Sequence, residues 1–301
     1  MTPIAVVIAT RGPAEVAART VASVLRSTYP SFRVCVVDQC ADHTSRALPD
    51  FALDERVTVV KAPARGLGAA RNRGVAATDT PLVAFTDDDC QVDADWLTAI
   101  VAAFHLEARI GVVFGSVRAP DYNRTSGFIQ AYKVDRPRVA RSVFHQARIR
   151  GIGGCMAIRR STYETIHGFD DQFGAGAPLH AAEDSDFFMR ALIAGHWVSE
   201  TSDAVVTHFG FCPWSKGVRL IKGYMFGLGA MHAKMLRLGG VAACGPIANL
   251  AWRWLAHGPA VDLNQQPPRL MRLSAFLQGV RVGWRLPIDR TTGCFAVGAD
   301  R

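Results

Sequence analysis

Short, unbroken apolar runs recur along the first half of the chain, and between them lie stretches whose apolar residues return at helical spacing. Ile4 to Ala9 is such a run, and its length and flanking turn signals predict a strand buried on both faces. Pro13 then opens a segment in which Ala17, Val21, Val24 and Leu25 share one helical face. Phe32 to Val37 predicts a second strand that ends on Asp38, Arg56 to Val60 a third, and Pro81 to Phe85 a fourth, the last preceded by a helix opening at Gly66 to Gly74. Strands separated by helices predict an α/β fold with a mostly parallel sheet and right-handed crossovers. Downstream, Asp95 to His105 reads as a helix and Gly111 to Val117 as a strand. Gly151 to Ile158 carries glycines that let backbone approach a ligand. A helix with Phe188, Ala191 and Leu192 on one face starts near Glu183 and stops at Gly195. Between Val117 and Gly151, residues 123–150 are weakly patterned and basic, which suggests a mobile connection.

Chemistry concentrates where these strands end. Asp87-Asp88-Asp89 follows the fourth strand directly, at the edge where open α/β sheets bind ligands. On its own such a triplet is a solvated turn. At a crowded strand end, however, adjacent carboxylates repel one another, and a divalent cation with oxygen ligands relieves that repulsion. Thr10 and Arg11 end the first strand. Arg71 and Arg73 lie near the start of a helix after glycines, where N–H groups and cations can meet phosphate. The Gly66-Leu67-Gly68 stretch lacks the third glycine and preceding strand of a dinucleotide fingerprint, and neither a P-loop nor a serine-hydrolase elbow occurs.

Composition sharpens this in one place. The chain has 301 residues, 49% of them hydrophobic, enough for one large domain or a domain with an appendage. Its net charge of +8 is not spread evenly: residues 1–210 hold 22 Lys and Arg against 23 Asp and Glu, whereas residues 211–301 hold 12 against 3. In that last third, aromatic and apolar residues interleave with cations, as in an interfacial helix on an anionic membrane surface. Helices packed on the rest of the chain are the plainer reading. No nucleic-acid motif is present. Leu238 to Ala256 is too interrupted by glycine, proline and Arg253 to span a bilayer. Seven cysteines without a C-x-x-C pair suggest reduced thiols, and the N-terminus has no signal-peptide pattern, so a cytoplasmic location is expected.

Taken in order, Ile4 to Arg11, Val36-Val37-Asp38, Gly66 to Gly74, Asp87-x-Asp89, Gly168-Phe169-Asp170 and Glu183-Asp184 resemble the inverting family 2 glycosyltransferases over roughly residues 3–210. The resemblance implies the GT-A fold in residues 1–210, followed by a helical, basic region over residues 211–301. It implies a nucleoside diphosphate sugar donor and a divalent cation, Mn²⁺ or Mg²⁺. Asp89, with Asp87 and His208, would hold that cation. Thr10, Arg11, Asp38, Arg71 and Asp87 would contact the nucleotide, with Asp88 supporting them. It also implies Asp184 as the base, Glu183 as its orienting neighbour, and Gly153 and Gly154 beside the acceptor. That acceptor would be a saccharide or lipid-linked hydroxyl in cell-surface polysaccharide or glycolipid assembly, at the inner face of the membrane. Where the family often continues with Asp-Gly-Ser, this chain has Gln39-Cys40-Ala41, which leaves the base unassigned. Two rivals remain: a nucleotidylyltransferase, for which Ala9-Thr10-Arg11-Gly12 is poor in glycine, and a catalytically silent nucleotide-sugar binding protein.

Overall fold

A computed structural model describes residues 1–40, 54–63, 66–239 and 268–296. In chain order the N-terminal elements are β1 (Ile4–Thr10), α1 (Ala14–Leu25), β2 (Phe32–Asp38), β3 (Val57–Lys61), α2 (Leu67–Ala76), β4 (Leu82–Asp87), β5 (Cys90–Val92), α3 (Trp96–His105) and β6 (Ile110–Arg118). The three short strands β7 (Gly127–Ile129), β8 (Arg138–Ala140) and β9 (Met156–Arg159) follow, then α4 (Arg160–Thr165), α5 (Glu183–Ile193), β10 (Trp197–His208) and β11 (Phe211–Pro213). Two helices close the described chain, α6 (Trp214–Gly239) and α7 (Arg269–Arg285).

Among the described residues, one sheet runs β3-β2-β1-β4-β9-β6-β10-β5, with β8 also on β10. Its first four strands are parallel, β9 runs against both its neighbours, and β5 and β8 run against β10. The unbroken apolar runs have a simple cause: alternate side chains enter two different cores. Val7, Val37, Val83 and Phe85 face one, while Ile4, Val6, Ile8, Val34, Val36, Leu82 and Ala84 face the other. Full burial of each larger side chain is worth roughly 1.5–3 kcal/mol. Register then aligns the strand ends, because β1 pairs Thr10 with Asp38 on one side and Ala9 with Asp87 on the other.

The segment expected to be a mobile connection is ordered instead. β7 pairs with β11 and β8 with β10, and Phe128 and Ile129 are buried. Strands of three residues carry too few positions to show a period, and their partners lie some eighty residues or fewer along the chain.

Helix α6 is no appendage at the level of its contacts. Its Ile221, Met225, Leu228, Met231 and Met235 join the same core as Phe85, Phe173 and Phe187. Helix α7 packs on α6 through glycine: a Cβ at Gly279 would overlap the Phe226 carbonyl oxygen, and one at Gly229 would overlap that of Phe276. Among the cations of α6 and α7, Lys234 and Arg272 are buried, and Arg237 donates to the carbonyls of Gly283 and Leu286. No helix among the described residues is long and apolar enough to cross a membrane. Most of the Leu238 to Ala256 run lies outside the described residues, as does Cys244.

Candidate active site

A cavity of about 550 Å³ opens at the carboxyl ends of β1 and β4, where the sheet order steps from β4 to β9. Asp87 ends β4, and a tight turn carries Asp88 and Asp89 into β5. The turn is held from below by the buried Thr20 of α1, whose hydroxyl lies 2.6 Å from the carbonyls of Asp88 and Cys90. All three acids line the cavity. Burial raises the carboxyl of Asp87, with Arg71 opposing and Asp89 and Asp88 adding to it. Burial likewise raises that of Asp88, whose oxygen faces Gly12, with the neighbouring Thr10 opposing the rise and the charge of Asp89 adding to it.

His208 ends β10 with Nε2 3.3 Å from Asp89 Oδ1 and Nδ1 2.9 Å from the Gln130 carbonyl. Burial disfavours a charge on this ring, but the hydrogen bond and charge of Asp89 outweigh it and raise His208 to about 9. An Nδ1–H directed at Gln130 leaves Nε2 as the ligating nitrogen once the proton is displaced. Among the described residues, one ligand atom each from Asp89, Cys90 and His208 lie within 4.8 Å of one another. The donor set therefore fits a divalent cation.

Opposite stands the N-terminus of α5. The two residues His180 and Ala182, at φ 67° and 73°, take left-handed backbone just before it, a conformation that costs non-glycine residues free energy and marks functional turns. This strained entry points Glu183 and Asp184 into the cavity. Asp184 Oδ2 accepts the Gly153 N–H at 2.9 Å and Oδ1 accepts both the N–H and the hydroxyl of Ser185, at 2.6 and 3.2 Å, which fixes the carboxylate and leaves Oδ2 a second lone pair for a substrate proton. Glu183 is pushed up to about 7 by burial and by Asp184, with Arg71 opposing and Asp87 adding to the rise.

Arg71 joins the two halves. Buried on α2, it donates to Glu183 Oε1 at 3.1 Å, reaches Asp87 Oδ1 at 3.5 Å, and lies over the rings of Phe85 and Phe169. It bridges acids rather than presenting a free cation to phosphate, while Arg73 is exposed. Gly153 and Gly154 pass so close that a Cβ would lie 2.6 Å from Arg71 Nη2 and 2.8 Å from Asp87 Oδ2, respectively.

The structure thus gathers Thr10, Arg11, Arg71, Asp87, Asp88, Asp89, Gly153, Gly154, Glu183, Asp184 and His208 around one cavity. Asp38 is not among its lining residues; its carboxylate accepts the Cys40 N–H at 3.0 Å, and Gln39 reaches the cavity in its place. Sequence reasoning missed the far wall. Leu220, Tyr224 and Leu228 of α6 line it at spacings of four residues, a helical period that would have revealed the face but not what it faces. Tyr224 donates to Gln130 Oε1 at 3.2 Å, and its hydroxyl is raised by burial and by the charges of Glu183 and Asp87.

Acids at the strand ends of a mixed α/β sheet, facing a helix N-terminus across a ligand-sized cavity, define the GT-A class of glycosyltransferase fold. The chain belongs to glycosyl transferase family 2, whose description its residues 5–166 match. It is 26% identical over 178 residues to EpsH of Bacillus subtilis (strain 168), named as a glycosyltransferase, which covers 56% of this chain and 49% of that protein. It is 28% identical over 185 residues to the succinoglycan biosynthesis protein ExoM of Rhizobium meliloti (strain 1021), covering 58% of this chain and 55% of that protein. The chain thus spans about half the length of these relatives. In fold it is similar to the mannosyltransferase PcManGT from Pyrobaculum calidifontis, solved in complex with GDP-Man and Mn²⁺. The TM-score there is 0.65 at 18% identity, over 97% of this chain and 78% of that one.

Proposed function

We propose that the protein transfers a sugar from a nucleoside diphosphate donor to a hydroxyl acceptor, with inversion at the anomeric carbon and a divalent cation at Asp89, Asp87 and His208. The observation that carries this reading is the placement of Asp184, fixed by two N–H donors, across one cavity from the acid turn. In a single displacement the acceptor oxygen bonds to the anomeric carbon as the bond to the diphosphate breaks. Asp184 takes the acceptor proton, and general-base help of this kind is worth roughly 10²–10⁴ in rate. The cation, when bound, supplies positive charge to the departing diphosphate. Arg71 holds Glu183 and Asp87 at a fixed separation, and the glycines at 153 and 154 keep the wall between them thin. The relationship to EpsH supports glycosyl transfer, that to the succinoglycan biosynthesis protein ExoM supports a role in polysaccharide biosynthesis, and the PcManGT complex supports a nucleotide sugar and Mn²⁺.

The acceptor enters along the α6 wall, where Leu220 and Leu228 offer apolar surface beside Tyr224, as a saccharide carried on lipid would need. An anionic membrane is the proposed setting. On α7, Leu270, Leu273, Leu277 and Trp284 form an exposed apolar stripe, Arg281 and Arg285 flank it, and the helix contains no acid.

Calorimetric titration with nucleoside diphosphates and their sugars, in Mn²⁺ and then in EDTA, tests the reading. Metal-dependent binding that Asp89→Ala abolishes is expected, and a folded protein that binds none of them sinks it. Asp184→Asn is expected to keep donor binding within about threefold while transfer falls by about 10² or more. Transfer at the undiminished rate removes Asp184 from the base role.

A further inference from the structure

The acid turn of this chain ends in a thiol, and the sheet puts that thiol at the cation site. Cys90 opens β5, and the antiparallel register pairs it with His208 across the β5–β10 ladder. Paired residues send their side chains to the same face of a sheet, about 5 Å apart at Cβ. The ladder is closed beyond them by the Phe209 N–H, which donates to the Asp89 carbonyl at 2.9 Å. Asp89 stands in the turn rather than in the strand, so it escapes strict alternation and can face its own neighbour. Its Oδ1 lies 4.0 Å from Cys90 Sγ and 3.3 Å from His208 Nε2. Cys90 is 1% exposed, yet it lines the cavity. These separations are near those between ligands of one tetrahedral ion with a sulfur bond of about 2.3 Å and nitrogen or oxygen bonds of about 2.0 Å.

We infer that Cys90, in place of Asp87, whose carboxylate Arg71 engages at 3.5 Å, is the third protein ligand of the cation site beside Asp89 and His208, and that its thiolate makes the site prefer borderline cations such as Zn²⁺ and Co²⁺ over Mg²⁺. This rests on the cation site of the proposed transferase. Coordination exchanges the thiol proton for the metal: the S–H bond breaks, the sulfur keeps the electron pair and gives it to the ion, and the proton leaves to solvent. Carboxylates alone suit hard ions, whereas one sulfur, one imidazole nitrogen and one carboxylate oxygen make a donor set of intermediate softness. Three protein ligands leave a fourth position for a diphosphate oxygen, as open sites do. Thr20, through the Cys90 carbonyl, holds the thiol's backbone in place from the core side.

Co²⁺ titration reads thiolate ligation directly, because a cobalt–sulfur bond gives an intense near-ultraviolet charge-transfer band that oxygen and nitrogen ligands do not. The wild-type protein is expected to show that band, and Cys90→Ser, Cys90→Ala and Asp89→Asn to lose it, with circular dichroism unchanged. Zn²⁺ affinity is expected to fall in Cys90→Ser by about 10- to 100-fold or more, the scale seen when even an outer-shell partner is lost, with Mg²⁺ affinity changing less. A band that survives in Cys90→Ser overturns the inference. Should the Cys90 variants fail to fold, X-ray absorption of the wild-type protein loaded with equimolar Zn²⁺ decides. A sulfur shell at about 2.3 Å, lost in Asp89→Asn, supports ligation by Cys90, and a shell of nitrogen and oxygen alone overturns it. Nucleotide binding by the wild-type protein in Mn²⁺ is read separately. Intact binding without a cobalt–sulfur band makes Cys90 a packing residue and leaves the transferase reading standing.

Discussion

Gly154 and Asp87 show how much of this site depends on atoms that are missing. With 2.8 Å between a Cβ at 154 and Asp87 Oδ2, Gly154→Ala must move the carboxylate, because the glycine's own backbone is held by the turn into β9. Metal-dependent nucleotide binding is expected to weaken about tenfold or more with little change in the melting temperature, and calorimetry beside thermal unfolding checks it. Glu183 makes a second residue-scale prediction, with the sign set by its environment. Its ordinary value is 4.5 and its folded value about 7, so the folded protein binds more protons than the unfolded chain between them. The contribution of Glu183 to stability is therefore whole below pH 4.5 and is lost as pH rises through about 7, on the order of 3 kcal/mol in the ligand-free protein. Urea unfolding from about pH 5 to 8 is expected to show that decline in wild type and a flatter profile in Glu183→Gln; parallel profiles would refute it. The acids themselves were legible, since three carboxylates after a buried strand and a pair opening a helix are local patterns. Arg71 was only half legible. Sequence placed it at a helix start, but its partners lie 16 and 112 residues away, and that pairing is a product of topology.

Helix α5 carries Asp184, the proposed base, and its position is locked by a buried charge network that joins three parts of the chain. Lys234 Nζ of α6 sits 2.6 Å from both Asp170 Oδ2 and Asp186 Oδ1. Arg190 donates to Asp186 Oδ2 at 2.9 Å and to the carbonyls of Ile166 and Gly168, and the Phe295 N–H donates to Asp170 Oδ2. The rings of Phe173 and Phe295 enclose the Lys234 ammonium, 5.0 and 5.1 Å from their centres. Lys234 and Asp186 are both 0% exposed, so the network is maintained wholly by its own pairings. Removing one partner of such a pair leaves a buried charge uncompensated. Lys234→Met is expected to lower stability by roughly 3 kcal/mol or more in urea, and a loss below about 1 kcal/mol would contradict this account. Helix α5 itself could be read from periodicity, while this network could not. In composition Lys234 counts among the cations of a basic tail, and Asp170 belongs to a motif that looks like site chemistry, yet here both are structural.

At the scale of the whole molecule, the basic last third has two faces with different physics. The inner face of α6 completes the core and walls the cavity, so truncating the chain after residue 210 would delete Met225, Leu228 and Met231, uncover the core that holds Phe173 and Phe187, and confound any binding assay. The outer face of α7 is free of that objection, since Leu277 and Trp284 are 55% and 57% exposed and contribute little to the core. Two contributions should act there together: burial of the apolar stripe in the interface, and attraction of Arg281 and Arg285 to anionic headgroups at about 1 kcal/mol per cation. Arg281→Gln with Arg285→Gln is then expected to weaken binding to phosphatidylserine-rich vesicles by about 2 kcal/mol, on the order of thirtyfold, with the wild-type affinity falling as salt is raised. Leu277→Glu with Trp284→Glu should weaken it further and reduce binding to neutral vesicles as well, because it removes the apolar contribution. Nucleotide binding and the melting temperature should stay where they were, which separates a docking face from a packing one. If cosedimentation is unchanged in both variants but light scattering shows a smaller assembly, the stripe joins two copies of the chain, and the acceptor must reach the α6 wall without a membrane to guide it.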